Sequence, residues 1–427
     1  MRPTGTPQIP ALNVLTSRRH ENSDSPPTES LPAIAEPHHG RLKFAKDTAG
    51  FLNELKKRVA DYFTVTGKSP NDCWQMYLKT VIILAWYFSA YIALVFFAHG
   101  FWQAFPIALL LASSMAAVGF AIQHDGGHHA YSRRPWINKL AGMTLDIIGV
   151  SSYLWYWKHA IFHHTYCNVQ GHDTDIDVSS LARFSPHAKY KKIQRWQHLY
   201  LWLLYGLMSS RWHLYGDFKD VATSTIGPHH IPRPKGWDLL IFIGGKVVSY
   251  SMAFVIPLFF HEWWVVLFFY VVVTAALGVI MSVVFQLAHC VEEAEFPLPA
   301  EGTLRIEHAW AIHQVETTVD FGRNSRSLSW FLGGLNFQIE HHLFPKICHI
   351  HYPAISTIVE RTCNEYGIRY SVHPTFWAGI VSHYKWLKRM GRPELENQES
   401  GVGNQESGVG NQESGLTSPN DSTHACG

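Results

Sequence analysis

The sequence predicts an all-α integral membrane protein, with four transmembrane helices in two hairpins and a cytoplasmic helical cap that holds a histidine-rich site. Three observations carry that expectation. Of 427 residues only 16% are charged, against about 25% in ordinary globular proteins. Four long runs are almost free of charge. The chain has 27 histidines, and its adjacent-histidine clusters fall outside those runs. A formal net charge of +2 offers no broad basic field for nucleic acid.

Residues 1–40 hold seven prolines, many Ser and Thr and few aromatics. Such a segment cannot bury enough apolar surface to offset the cost of ordering, so disorder is expected there. No secretory signal is expected either, because the apolar run Ala11 to Leu15 is short and broken by Asn13. Residues 391–427 repeat NQESGVG at Asn397 and Asn404, then NQESG at Asn411. With a single Val and two Gly in each full repeat there is no apolar seam for a coiled coil, so a second disordered tail is expected. Residues 41–390 are left as one membrane-embedded domain. The six cysteines form no C-x-x-C pair and the chain is too long to need a disulfide framework, so reduced or buried thiols are the default.

The apolar runs are Val81 to Ala98, Phe101 to Gln123, Leu239 to Phe260 and Trp263 to Ala288. A hydrocarbon core of about 30 Å needs roughly 20 helical residues, so each is long enough to span. Lys246 interrupts the third run, early enough to snorkel toward an interface. His99-Gly100 and His261-Glu262 separate the paired runs and contain no Lys or Arg, whereas thirteen lie between His124 and Asp238. The positive-inside rule places both termini and both large polar segments in the cytoplasm. Leu140 to Trp157 and Leu199 to Tyr215 are interrupted by Asp, Arg or His and are expected as interfacial or cap helices.

Three clusters and one single histidine then stand at the cytoplasmic ends of the spans: His124-Asp-Gly-Gly-His128-His129, His159-Ala-Ile-Phe-His163-His164, Gln338-Ile-Glu-His341-His342, and His289. His124 and His128 are i, i+4, as are His159 and His163, which puts each pair on one helix face. Gln338, His341 and His342 also form one stripe, while His164 lies about 100° around a regular helix from His163. Imidazole suits Fe, Zn, Cu and Ni, so the residues alone leave the metal open. Seven or more ligands exceed the needs of one ion and point to two. A lone histidine is by default a satisfied surface or core residue, the reading for His99, His187, His198, His213, His229, His230 and His261. His129, His172, His349 and His351 stand between that default and a ligand or supporting role.

Other classes fit less well. A bis-histidine haem protein would carry its ligands inside the spans. An intramembrane zinc protease needs H-E-x-x-H, and His261-Glu262 continues as Trp263, Trp264, Val265. A transporter would place ionisable groups near the midplane. A non-enzymatic His-rich metal-binding protein remains an alternative from another class.

These residues resemble the membrane fatty acid desaturases, with H-x-x-x-H, H-x-x-x-H-H and Q-x-x-H-H boxes. QIEHHLFP from Gln338 to Pro345 is similar to the front-end subclass, in which Gln replaces the first His of that box. HHTYCNVQGHD from His163, LAH ending at His289, and ICHIHYP from Ile347 are similar to bacterial delta-6 acyl-lipid desaturases. The resemblance covers roughly residues 75–390 and departs at His129. It implies two iron ions held by His124, His128, His159, His163, His164, His289, His341 and His342, with Gln338 at the site as a catalytic residue. It also implies dioxygen as co-substrate and lipid-bound linoleoyl or linolenoyl chains as substrate. Some relatives carry a fused cytochrome with an H-P-G-G motif. That motif is absent here and residues 1–76 read as mostly disordered, so a separate ferredoxin-like donor is expected. A related di-iron hydroxylase or ketolase acting on lipids or carotenoids is the alternative enzyme.

Overall fold

In this computed structural model residues 42–393 are described, apart from 179 and 301. The expectations for residues 1–40 and for the repeat tail lie outside them. The described chain is mostly helical, with strand confined to three short pairs. Lys43–Ala45 runs parallel to Arg305–Ala309, Thr225–Ile226 antiparallel to His229–His230, and Asp320–Phe321 parallel to Val372–His373.

Four helices are long and apolar enough to cross a membrane: span 1, Trp74–Phe97; span 2, Phe101–Gly127; span 3, Trp237–Leu258; and span 4, Trp263–His289. They match the four apolar runs. Side chains such as Val81, Phe88, Leu110, Val247 and Val271 stay exposed on their outer faces, which is tolerable only where the surrounding medium is as apolar as they are. Span 2 is the most enclosed, with 61% of its apolar window buried against 17% for span 3. It packs between spans 1 and 4, and small residues (Ala104, Ala108, Ala112, Ala116 and Ala117) make that closeness possible.

Neither Leu140 to Trp157 nor Leu199 to Tyr215 is among the helices able to span. The first breaks after Pro135–Ile147, where Gly149 takes φ 102°. The second is divided among Gln197–Tyr205, Leu207–Arg211 and Trp212–Gly216.

Two expectations are corrected. Residues 51–66 are helical, so the described part of the stretch before residue 76 is ordered, and residues 1–41 lie outside the described residues. Helix Phe51–Thr66 buries Phe51, Leu55 and Val59 against Ile339, Leu343, Ile355 and Val359. Each such side chain contributes roughly 1.5–3 kcal/mol when fully buried, and together they back the helix that carries His341 and His342. Lys246 does not snorkel. Its side chain is 8% exposed and pairs with Asp217, 7% exposed, at 2.8 Å, while Nζ also donates to the carbonyl of Gly149 at 2.7 Å. Nearby protein acceptors satisfy the ammonium more readily than a stretch to the distant interface would.

Removing one member of such a buried pair leaves an uncompensated charge, at a cost of about 3–5 kcal/mol. Asp217→Ala should therefore lower the thermal unfolding midpoint of the detergent-solubilised protein by several degrees. Asp217→Ala combined with Lys246→Met should recover most of the loss. An unchanged midpoint in the single variant would mean that water, not Asp217, satisfies Lys246.

Candidate metal centre

The first cluster sits where span 2 changes its winding. Residues Val118–Gln123 adopt i→i+5 hydrogen bonding, and one α-helical turn, His124–Gly127, follows. Wide turns of this kind recur at functional sites because they re-aim the side chains that follow. The two glycines of H-D-G-G-H answer to close packing. A Cβ on Gly126 would lie 2.6 Å from the Cβ of Ala141, and one on Gly127 would lie 2.2 Å from the Trp155 ring. Trp155 uses that space to pack its indole on His124, His128 and His159, with centroids 5.6, 5.2 and 4.7 Å away.

The second cluster is also wide-wound, over Tyr156–His163. A regular helix would turn His164 well away from His159. The i→i+5 winding instead sets His164 directly above it, with Nε2 atoms 3.3 Å apart. The third cluster lies on the wholly buried helix Gln338–Leu343.

Tertiary packing sorts seven of the eight predicted histidines into two groups and sets His164 between them. The donor atoms of His124, His128, His159 and His341 lie within 4.8 Å of one another, and so do those of His163, His289, His342 and Cys167. His164 joins His341 and His342 in a third set between the groups. Neighbours in sequence therefore divide: His159 faces one group and His163 the other, as do His341 and His342. Seven of the eight are buried and His159 is half-buried.

The donor set fits cations. Nε2 of His159 lies 3.1 Å from Nε2 of His124 and 3.3 Å from Nε2 of His164. Nitrogens sharing an ion at about 2.1 Å stand about 3.0–3.4 Å apart. Nε2 of His128, His341 and His342 and Nδ1 of His164 are buried without a hydrogen-bond partner, a costly arrangement unless something accepts their lone pairs. Burial, with neighbouring imidazoles second, holds His159, His164, His341 and His342 well below the ordinary histidine range. They stay neutral, the form that ligates.

The opposite ring nitrogens are held by partners that fix the tautomer. Nδ1 of His163 donates to Asp173 at 3.0 Å, and Nδ1 of His342 donates to the Gln314 carbonyl oxygen at 2.8 Å. Nδ1 of His341 lies 3.4 Å from the Tyr352 hydroxyl. For His163 burial disfavours the proton, but the carboxylates of Asp173 and Asp175 outweigh it and raise its affinity for the proton. Asp173 also accepts the Asn168 backbone N–H at 2.9 Å. The Asn168 side chain, from a left-handed backbone at φ 57°, donates to the carbonyls of His289 and Thr317 at 2.9 and 3.3 Å. One loop thus joins the second cluster to the end of span 4.

Gln338 is buried on the same helix as His341 and His342, with Oε1 unpartnered. His129 is exposed, at φ 61°, and belongs to neither group. His349 has both nitrogens taken, by Asp125 at 2.9 Å and Lys79 at 2.9 Å. His351 contacts Cys73 and the Ser69 carbonyl. His172 and the histidines read as ordinary also lie outside both groups. The sequence reading missed Cys167, Asp173, Gln314 and Tyr352. Cys167 and Asp173 stood inside the quoted HHTYCNVQGHD stretch, four and ten residues after His163. Gln314 and Tyr352 had no signal tying them to the boxes.

A fatty acid desaturase family model matches residues 100–374. The sn-1 linoleoyl-lipid 6-desaturase of Arthrospira platensis is 40% identical over 351 residues, covering 82% of this chain and 95% of that protein. The protein of the same description from Synechocystis sp. is 40% identical over 357 residues, covering 82% and 98%. An acyl-lipid (8-3)-desaturase of Physcomitrium patens is 36% identical, covering 84% of this chain and 77% of its own length.

Partners that orient a metal-binding histidine are typically worth 10–100-fold in metal affinity. Asp173→Asn should weaken metal retention by about that factor, measured as metal per chain after a graded chelator challenge. His129→Ala should leave retention unchanged. Wild-type retention in the Asp173 variant would show that His163 is held without that carboxylate.

Proposed function

The chain belongs to the fatty acid desaturase family, and from that premise we propose that it inserts a cis double bond on the carboxyl side of existing ones in lipid-bound linoleoyl or linolenoyl chains, in the delta-6 manner. It is an oxidoreductase and a membrane protein. The observation that carries the finer reading is the pair of buried histidine groups bridged by His164, placed where spans 2 and 4 end. The relatives described as linoleoyl-lipid 6-desaturases support the substrate and the position of insertion.

In this reading two iron ions lie in the two groups: His124, His128, His159 and His341 hold one, His163, His289 and His342 the other, and His164 stands between them. Iron held there supplies dioxygen activation, the chemistry needed to take hydrogens from methylenes with no acidic proton and no leaving group. The protein's own part is positional. Asp173 and Gln314 keep a proton on Nδ1 of His163 and His342. Trp155 closes one side of the site and, with the buried helix Gln338–Leu343, keeps bulk water away from the imidazoles. Removing two hydrogens yields two electrons, whereas reducing dioxygen to water takes four, so two come from an external donor of the ferredoxin type. In this reading the site and both termini lie on the cytoplasmic side, where such a donor docks, with the spans as two hairpins beneath a helical cap; the lysines and arginines of the polar segments support that orientation. Residues 41–390 form the catalytic domain.

Expression in a host supplied with linoleate should yield a fatty acid with a new double bond nearer the carboxyl group. Purified protein should contain about two irons per chain, and His163→Ala should abolish the product. A hydroxylated or keto product would move the chain to the related hydroxylase or ketolase chemistry. Full activity without iron or without His163 would remove the metal assignment.

Gln338 offers a carbonyl oxygen and an amide donor where an all-histidine box would place a stronger nitrogen ligand. In this reading it tunes the site, so Gln338→Ala should lose most activity at normal expression and membrane insertion. Gln338→His should also reduce turnover, because an added imidazole alters the iron environment. Unchanged turnover in Gln338→Ala would make Gln338 a packing residue.

A further inference from the structure

A second pair of reactive side chains lies behind the histidine site. Cys73 immediately precedes span 1, and Cys348 follows the third box on the loop leading into helix Tyr352–Glu365. The fold lays these segments side by side. The backbone N–H of Cys348 donates to the Pro70 carbonyl at 2.9 Å, and the Asn71 side chain donates to the Lys346 carbonyl at 3.3 Å. Both cysteines are free, and the pairing of their segments sets the two side chains beside each other. Cys73 is half-buried, at the edge of the fold, whereas Cys348 is sealed inside. Nε2 of His351 sits 3.2 Å from the Cys73 sulfur and 2.9 Å from the Ser69 carbonyl, so one ring N–H is shared between them. The rings of Phe63 and Tyr62 stand edge-on to His351 and hold it there.

We propose that Cys73 and Cys348 form a hydroperoxide-reactive dithiol, in which Cys73 is the attacking sulfur and Cys348 the resolving one. The Cys73 thiolate attacks one peroxide oxygen and the O–O bond breaks. Cys73 becomes a sulfenic acid, and the departing oxygen leaves as water once it takes up the proton that Cys73 has lost. The Cys348 sulfur then displaces the sulfenic oxygen: the S–S bond forms, and a second water carries away that oxygen with the Cys348 proton. The two thiols lose two electrons and the peroxide gains them.

The surroundings single out this pair. The neighbouring Cys348 thiol, working against burial and aided by His351, lowers the Cys73 thiol from its ordinary range. Burial raises Cys167 and Cys290 well above theirs and pushes Cys363 up to about 12. Reactivity follows thiolate character and access, and Cys73 combines the two with a partner thiol beside it. Closure would tether the start of span 1 to the loop leading into the helix that begins at Tyr352, whose hydroxyl faces His341.

The test uses the full chain in membranes, exposed to a small excess of hydrogen peroxide, then alkylated, digested and mapped by mass spectrometry. The expected first product is a disulfide joining the Cys73 and Cys348 peptides, reversed by dithiothreitol. Cys73 should be lost on the order of tenfold faster than Cys167, Cys290 or Cys363. In Cys348→Ser the sulfenic acid should persist on Cys73 and be trapped by dimedone. Oxidation of another cysteine first, or a Cys73 that stays alkylatable throughout, would overturn the proposal. The readout is thiol chemistry alone, so it stands apart from whether the desaturase reading holds.

Discussion

Imidazole nitrogens facing other imidazole nitrogens are the constraint on which this structure turns. Nε2 of His159 meets two others at 3.1 and 3.3 Å, and Nε2 of His128, His341 and His342 are buried with no hydrogen-bond partner. Burial holds His159, His164, His341 and His342 neutral, so that part of the cluster cannot resolve itself by taking up protons. Cations in the middle remove the conflict. They would accept the inward lone pairs, while carboxylate, amide and hydroxyl partners occupy the outward nitrogens of His163, His342 and His341.

The scaffold follows from that demand. Wide-wound turns before His124 and through His159 swing side chains inward that a regular helix would spread apart. Gly126 and Gly127 bring the first box hard against Ala141 and Trp155. Asn168 ties the loop after the second box to the end of span 4. The helix Phe51–Thr66, far from the boxes in sequence, presses the third one into place through Ile339 and Leu343. Apart from the wide-wound turns, each device joins elements distant in sequence, and none of those contacts is a local preference of the residues involved.

Charge within the apolar bundle obeys the same logic. Lys246 meets Asp217, and Lys79 meets His349, which in turn meets Asp125 beside His124. In a medium without water every polar group must find a protein partner, so what looked in sequence like a lysine free to reach an interface is a fixed bridge between elements.

Local composition was enough for much of this protein. Uncharged runs of some twenty residues can be stable only as spans, so four spans were legible before any contact was known. Histidines at i, i+4 spacing share a helix face, so the three boxes and His289 were legible too. What local pattern could not decide was which histidine joins which group. That depends on whether a turn closes at i→i+4 or i→i+5 and on how distant segments dock. The 100° reading of His164 assumed a regular helix, and the fold instead set it between the two groups. The same reason hid Gln314 and Tyr352, the burial of Lys246, the helix at 51–66 and the pairing of Cys73 with Cys348. Each is fixed by segments remote in sequence meeting in space, and no window along the chain contains both partners.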